Sequence, residues 1–171
     1  MSTGPFYGKY RGTVVGNVDP EFVGRLQVQV PDVGGSMPLS WAMPCLPVGG
    51  PNMGIFAVPS VGAGVWVEFE RGDPDYPIWS GVFWGIGAET PALAKLVPPG
   101  VSGITLQTAA ANGIVISDLP GPTGGILLQT ASGAIIAIND TGILISNGKG
   151  ATISMVSGPL VDVNAGALQV S

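Results

Sequence analysis

The stretch Gly125–Val156, GILLQTASGAIIAINDTGILISNGKGATISMV, alternates apolar with small polar residues and carries only two charges, Asp140 and Lys149. Side chains two positions apart on a strand share a face, so the alternation predicts strands with one aliphatic and one polar side. The pattern recurs along the second half of the chain. ITLQTAAANGIVISD from Ile104, ILLQTASGAIIAIND from Ile126 and ILISNGKGATISMVS from Ile143 align on one another, and LVDVNAGALQV from Leu160 closes the series. Each unit reads as a strand, a small-residue turn and another strand. Such self-similarity marks a β-solenoid or related stack, in which one unit cannot bury its own apolar face.

Parity assigns the inward residues. They are Ile104 and Leu106, Ile114 and Ile116, Ile126 and Leu128, Ile136 and Ile138, Ile143 and Ile145, Ile153 and Met155, Val161 and Val163, Leu168 and Val170. The opposite parity holds Thr105, Gln107, Gln129, Ser146, Thr152, Ser154, Asp162 and Gln169, with Val115, Leu127, Ile135 and Leu144 as exceptions. Units this short do not enclose a core alone, whereas three copies wound about one axis would. The expectation is a homotrimer, an intertwined trimeric β-helix or β-prism over residues 104–171, with open strand edges paired between chains. Burying about a dozen such side chains per chain at roughly 1.5–3 kcal/mol each offsets a large ordering entropy.

The first half has different chemistry. Every aromatic residue, from Phe6 to Trp84, lies there. YRGTVVGNV and GRLQVQVP are alternating runs joined by DPEFV, and GVWVEF places Val65, Val67 and Phe69 on one face against Trp66 and Glu68 on the other. These short strands predict an OB-fold barrel over residues 1–85. Residues 86–103 read as a linker whose TPALAKL can form a short helix before Pro98-Pro99-Gly100 stops it. The fold class is all-β.

Composition narrows the function. The 171 residues include Gly 28 and Pro 16, are 46% hydrophobic and 10% charged, and carry a net charge of −5. This is too apolar for disorder and too acidic for generic phosphate binding, so no nucleic-acid partner is expected. His 0 and the single Cys45 remove histidine-dependent nucleophilic catalysis and the usual zinc sites. No catalytic residue, metal or cofactor is expected. MSTGPFYGKYRGTVVG lacks a secretory h-region, and no apolar run has membrane-spanning length, so folding in the cytoplasm is the expectation.

Several features invite sharper readings, each with a plainer one beside it. Asp118, Asp140 and Asp162 could form stacked carboxylate rings for a divalent cation in a trimer, but SDLPG and NDTG read as turns. Glu68, Glu70, Asp73 and Asp75 could serve as a glycosidase pair, but Glu68 and Glu70 share an exposed face and GDPDYP is a turn. Cys45 reads as a buried small apolar residue. Asn139-Asp140-Thr141 is an empty sequon, and NGKGAT around Lys149 is a turn. Trp41, Trp66, Trp79 and Trp84 could stack bases or sugars, but few cations accompany them.

GNVDPEFVGRLQVQVP, SWAMPCLP and PSVGAGVWVEFERGDPDYPIWSGVFWG together resemble the OB domain of contractile-tail spike proteins, the phage baseplate assembly protein V family, related to the VgrG spikes of type VI secretion. The resemblance rests on an ordered set of positions. It includes Asp19, Pro20, Gly24, Arg25, Trp41, Gly62, Gly72, Asp73 and Pro74. It implies a virion tail protein made in the host cytoplasm, an OB domain docked on a separate trimeric hub protein, and a β-prism that pierces the target outer membrane on contraction. The chain departs from hydrolase-bearing members and from spikes whose apex histidines hold iron. The resemblance further implies a PAAR-type tip protein seated on Leu168, Gln169, Val170 and Ser171. The other reading kept open is a carbohydrate- or receptor-binding trimeric tail protein.

Overall fold

The computed structural model describes residues 5–170, the surroundings of the side chains of residues 157, 169 and 170 excepted. Two compact units divide between Glu89 and Thr90. In the first, strands β1 (Tyr10–Gly16), β2 (Leu26–Gln29), β3 (Pro38–Pro44), β4 (Gly49–Gly50), β5 (Met53–Gly54), β6 (Gly64–Phe69) and β7 (Pro77–Phe83) follow in order. Five of them close a barrel in the order β1-β2-β3-β7-β6, and β4 and β5 form a small hairpin in the β3–β6 connection. A single helical turn, α1 (Pro31–Gly34), links β2 to β3. Among the described residues only β3 and β7 pair in parallel.

Strand alternation fills the barrel. Val14, Leu26, Val28, Ala42, Val65, Val67 and Phe69 point inward with Trp79, and Phe6 caps them. The Phe6 N–H donates to the Gly72 carbonyl at 2.8 Å, and its ring meets Tyr10 and Phe69 edge-on or tilted. Gly72 is buried at φ +80, and a Cβ there would press on Pro5 and the Phe6 nitrogen. Only glycine lets the N-terminal arm approach this closely.

The second unit is one antiparallel sheet. Strands β8 (Gly103–Gln107), β9 (Gly113–Ser117), β10 (Gly125–Gln129), β11 (Ile135–Asn139), β12 (Gly142–Ser146), β13 (Thr152–Ser157), β14 (Leu160–Val163) and β15 (Leu168–Val170) pair strictly in sequence. The stack of similar units is therefore a meander of hairpins within one chain. Every strand from β9 to β14 already has two neighbours from its own chain, leaving open edges only on β8 and β15. Short turns explain the outcome, since closing a local hairpin costs less chain entropy than any distant pairing.

The TPALAKL segment forms a 3-10 helix, Ala92–Leu96, bracketed by Pro91 and Pro98. It belongs to the sheet unit: Leu93 is buried, its N–H donates to the Gln107 Oε1 at 2.8 Å, and its side chain fills the space beside Gly113.

The hairpin turns at one side of the sheet share a design. Thr108 and Thr130 each use the side-chain oxygen to accept the N–H four residues on, at 3.3 and 3.1 Å, and Asn147 does so at 3.0 Å. The fourth residue of each turn has positive φ: Ala111 at 62°, Gly133 at 88° and Gly150 at 103°. Alanine is the odd residue there, since an L side chain in the left-handed region costs about 1–2 kcal/mol. Ala111→Gly should therefore stabilise the sheet by about 0.5–1 kcal/mol after glycine's greater unfolded-state entropy is subtracted. A thermal melt of the two proteins side by side checks it.

Candidate functional site

The register builds two continuous rows of aliphatic side chains on one face of the sheet. Ile104, Ile116, Ile126, Ile138, Ile143 and Met155 stand opposite one another from β8 to β13. Leu106, Ile114, Leu128, Ile136, Ile145, Ile153, Val163 and Leu168 form the second row, from β8 to β15. Cross-strand neighbours of this kind are the unit of sheet stabilisation. Among the described residues the rows remain accessible: Ile138 is 42% exposed, Ile136 40%, and Leu106 on the edge strand 65%. Val161 and Val170 pair across β14 and β15. The side chains of Gln169 and Val170 and the whole of Ser171 lie outside the described residues.

The other face is mixed. Thr105, Val115, Leu127, Ala137, Leu144, Ser154 and Asp162 form its central row. Val115 is buried and the others are half-buried, so the apolar exceptions seen in the sequence make a short stripe there. An exposed aliphatic face of this length marks an interaction surface.

Three aspartates act within their own chain. The Asp140 Oδ2 accepts the Gly121 N–H at 2.7 Å, tying two turns together, and the Asp162 Oδ1 accepts the Gly166 N–H at 2.6 Å. Asp118 sits at the end of β9, where its N–H donates to the Ser102 carbonyl at 3.0 Å. Asp162 stands on the mixed face of β14, and its carboxylate reaches the β14–β15 turn. No group of three potential metal ligands occurs among the described residues. The sequon amide of Asn139 donates to the Pro122 carbonyl at 2.9 Å.

On the barrel, the motif residues prove to be turn-builders. Asp19 is buried, and its carboxylate accepts the N–H groups of Glu21, Val23 and Arg25 as well as the Arg25 Nε and Nη2, at 2.7–3.1 Å. Pro20 follows it as the exposed first corner of the turn. The Arg25 guanidinium also lies over the Trp41 ring at 5.4 Å, and the Gly24 carbonyl accepts the Trp79 indole N–H at 3.0 Å. Gly62 turns at φ +90, its N–H bonded to the Val14 carbonyl. Asp73 accepts the Asp75 N–H through Oδ1, and Pro74 lies between them in the β6–β7 turn.

The Arg25 guanidinium, joined by the backbone donors of Arg25, Glu21 and Val23, outweighs burial and holds the Asp19 carboxyl well below the usual carboxylate range. A depressed folded-state pKa contributes stability that is full above the unfolded value, about 3.9, and is lost as pH falls through the folded one. Asp19→Asn should therefore melt at lower temperature than the parent at neutral pH. The gap should hold down to about pH 5 and close progressively as acid protonates the unfolded carboxyl. Melts followed by tryptophan fluorescence across pH 2–7 check it, the window following from these reference values.

Glu70, Asp73 and Asp75 are exposed around the β6–β7 turn. Glu68 accepts an ion pair from the Lys9 Nζ at 3.2 Å, and its pKa is lowered by hydrogen bonding to Ser80 and then to Lys9. Cys45 is exposed, which corrects the expectation of burial. Ala42 is the buried residue of β3, and Cys45 stands at odd spacing from it, just past the strand end. The tryptophans separate: Trp79 is core, Trp41 and Trp66 are half-buried under Arg25 and Arg11, and Trp84 is exposed.

Residues 10–84 match the family model described as the type VI secretion system/phage-baseplate injector OB domain, which is the closed barrel. Residues 103–169 match the phage baseplate V C-terminal trimerisation domain, which is the eight-stranded sheet. The chain belongs to the phage baseplate V family. A comparison with curated proteins found no match. Membership makes this a baseplate structural protein whose C-terminal sheet is a trimerisation domain, and gives the uncovered aliphatic rows a setting in which they can be buried.

Proposed function

We propose that this baseplate V protein is the central spike of a contractile tail or injection device. The aliphatic rows, uncovered on one chain and lying wholly within the trimerisation domain, carry this reading. Three copies bring their rows together about one axis and form a prism whose outer surface is the mixed face. The near absence of charge in the strands suits a rod that must cross a bilayer without leaving buried ions behind. The OB barrel docks on a separate hub protein, a PAAR-type protein covers the C-terminal strand, and contraction drives the prism into the target outer membrane. The work is mechanical and uses no active site.

The native mass by light scattering, measured on the full chain and on a chain ending at Glu89, tests the proposal. A full-length trimer and a monomeric barrel support it. A monodisperse full-length monomer would mean that the rows stay in solvent, and the spike reading would fail.

A further inference from the structure

Two demands of the fold meet at Asn147-Gly148, in the β12–β13 turn. The first residue must supply a side-chain oxygen that accepts the N–H four positions on, as Thr108 and Thr130 do in the sister turns. The second must be glycine. Gly148 has φ +69, and a Cβ there would lie 2.6 Å from the Gly133 carbonyl carbon, part of the neighbouring turn's backbone. Where the accepting residue is threonine, the combination is chemically inert. Where it is asparagine, an amide carbon is set beside the least hindered backbone nitrogen that a chain offers.

The hydrogen bonds of this turn suit that chemistry. The Asn147 Oδ1 accepts the Lys149 N–H at 2.8 Å and the Ala151 N–H at 3.0 Å. The first of these bonds folds the carboxamide back over the Gly148 amide and turns Cγ toward its nitrogen. Together the two donors polarise the carbonyl and can hold the negative charge that grows on Oδ1 as Cγ becomes tetrahedral. The Gly148 N–H donates to the Ser146 Oγ at 3.1 Å, a hydroxyl through which its proton can pass to solvent. Asn147, Gly148 and Lys149 are exposed, so water reaches them. The chain's other Asn-Gly pair, Asn112-Gly113, is arranged differently. There Oδ1 turns away to accept the Ala131 N–H of the next turn at 3.0 Å, Nδ2 donates to the Thr108 Oγ1, and Gly113 is already in β9.

We propose that the β12–β13 turn is a self-modification site, at which Asn147 converts to aspartate without an enzyme. The Gly148 nitrogen attacks Cγ. The N–Cγ bond forms, the Cγ–Nδ2 bond breaks, and Nδ2 leaves as ammonia, taking up one proton for the one that Gly148 gives to solvent. Water then opens the cyclic imide. Opening at Cγ restores the backbone and leaves a carboxylate at position 147, which can accept the same two N–H groups, so the turn retains its bonds. Opening at the main-chain carbonyl instead routes the backbone through the side chain and adds a methylene to the turn. Either product adds a negative charge beside Lys149, in a sheet unit that has few charges.

Peptide mapping by mass spectrometry, on full-length protein incubated at mildly alkaline pH with and without urea, tests the proposal. Native Asn147 should convert at least as fast as it does in the unfolded chain. Native Asn112 should fall at least about tenfold behind its own unfolded rate, because its amide carbon is held away from its nucleophile. Ammonia release from the native protein should drop to the level of the remaining amides in Asn147→Thr, which copies the sister turns. A native Asn147 that stays intact, or that converts more slowly than in urea, would show that the turn protects the amide and would overturn the proposal. Equal native rates at Asn147 and Asn112 would overturn it as well, since the geometry of the turn would then have no effect.

Discussion

Ile138→Asp should abolish the trimer. Ile138 stands in the middle of a row running from β8 to β13, between Ile126 and Ile143, on the face that a single chain leaves open. In the single chain the new carboxylate would reach water, so its own sheet loses little beyond a cross-strand contact of roughly 0.2–1 kcal/mol. In the proposed trimer, with the rows facing the axis, the same change would bring three carboxylates close together inside an apolar core. Unpaired buried charges cost several kcal/mol each, and like charges add repulsion, so the assembled state should lose on the order of 10 kcal/mol. Light scattering should find monomer or aggregate. Ser154→Ala on the mixed face is the matched control and should stay within about 0.5 kcal/mol of the parent. A soluble trimer from Ile138→Asp would show that the rows do not face the axis.

Gly142→Ala should unfold the sheet itself, before any question of assembly. Gly142 opens β12 at φ +135, and a Cβ there would sit inside the van der Waals envelope of the Met155 carbonyl oxygen and against the Val156 Cα. Both obstacles are backbone atoms of the neighbouring strand, so no side chain can swing away. The left-handed backbone and the clash together should cost more than about 3 kcal/mol. Gly150→Ala separates the two effects. Its φ is +103 but nothing lies within 4 Å of the added methyl, so it should lose only the backbone part, about 1–2 kcal/mol. Soluble yield and far-UV circular dichroism of the two variants decide it, and equal behaviour would refute the steric account.

The same geometry explains a repeat that the sequence displays without a reason. Gly103, Gly113, Gly125 and Gly142 each precede an isoleucine at a strand start. At Gly113 and Gly125, as at Gly142, an added Cβ would meet a carbonyl oxygen of the adjacent strand, Leu106 and Ile138 respectively. The glycines therefore let consecutive strands close up where the turns begin. Reading the sequence could locate them but not say which backbone they touch.

Other features divide in a similar way. The faces of β6 and the aliphatic parity of β8 to β15 were legible because period-two alternation is a property of a single strand. The role of Asp19 was only half legible: DP marks a turn, but five donors converging on one carboxylate depend on how Glu21 to Arg25 fold back. Cys45 was misread because its neighbours Pro44 and Leu46 are apolar, while its exposure follows from where β3 ends. TPALAKL kept its short helix, yet its burial beside Gly113 and Gln107 came from packing on the first hairpin of the sheet that follows it.

By itself the sequence determined what each strand is: its length, its two faces, its turns, and an aliphatic side too large to leave in water. These are local consequences of side-chain geometry and hydration. The tertiary structure decided which strands lie together, and that eight of them form a single meander with one aliphatic face accessible. Those outcomes depend on loop closure and on contacts between distant residues, whose free energies belong to pairs of segments and are written in neither segment alone.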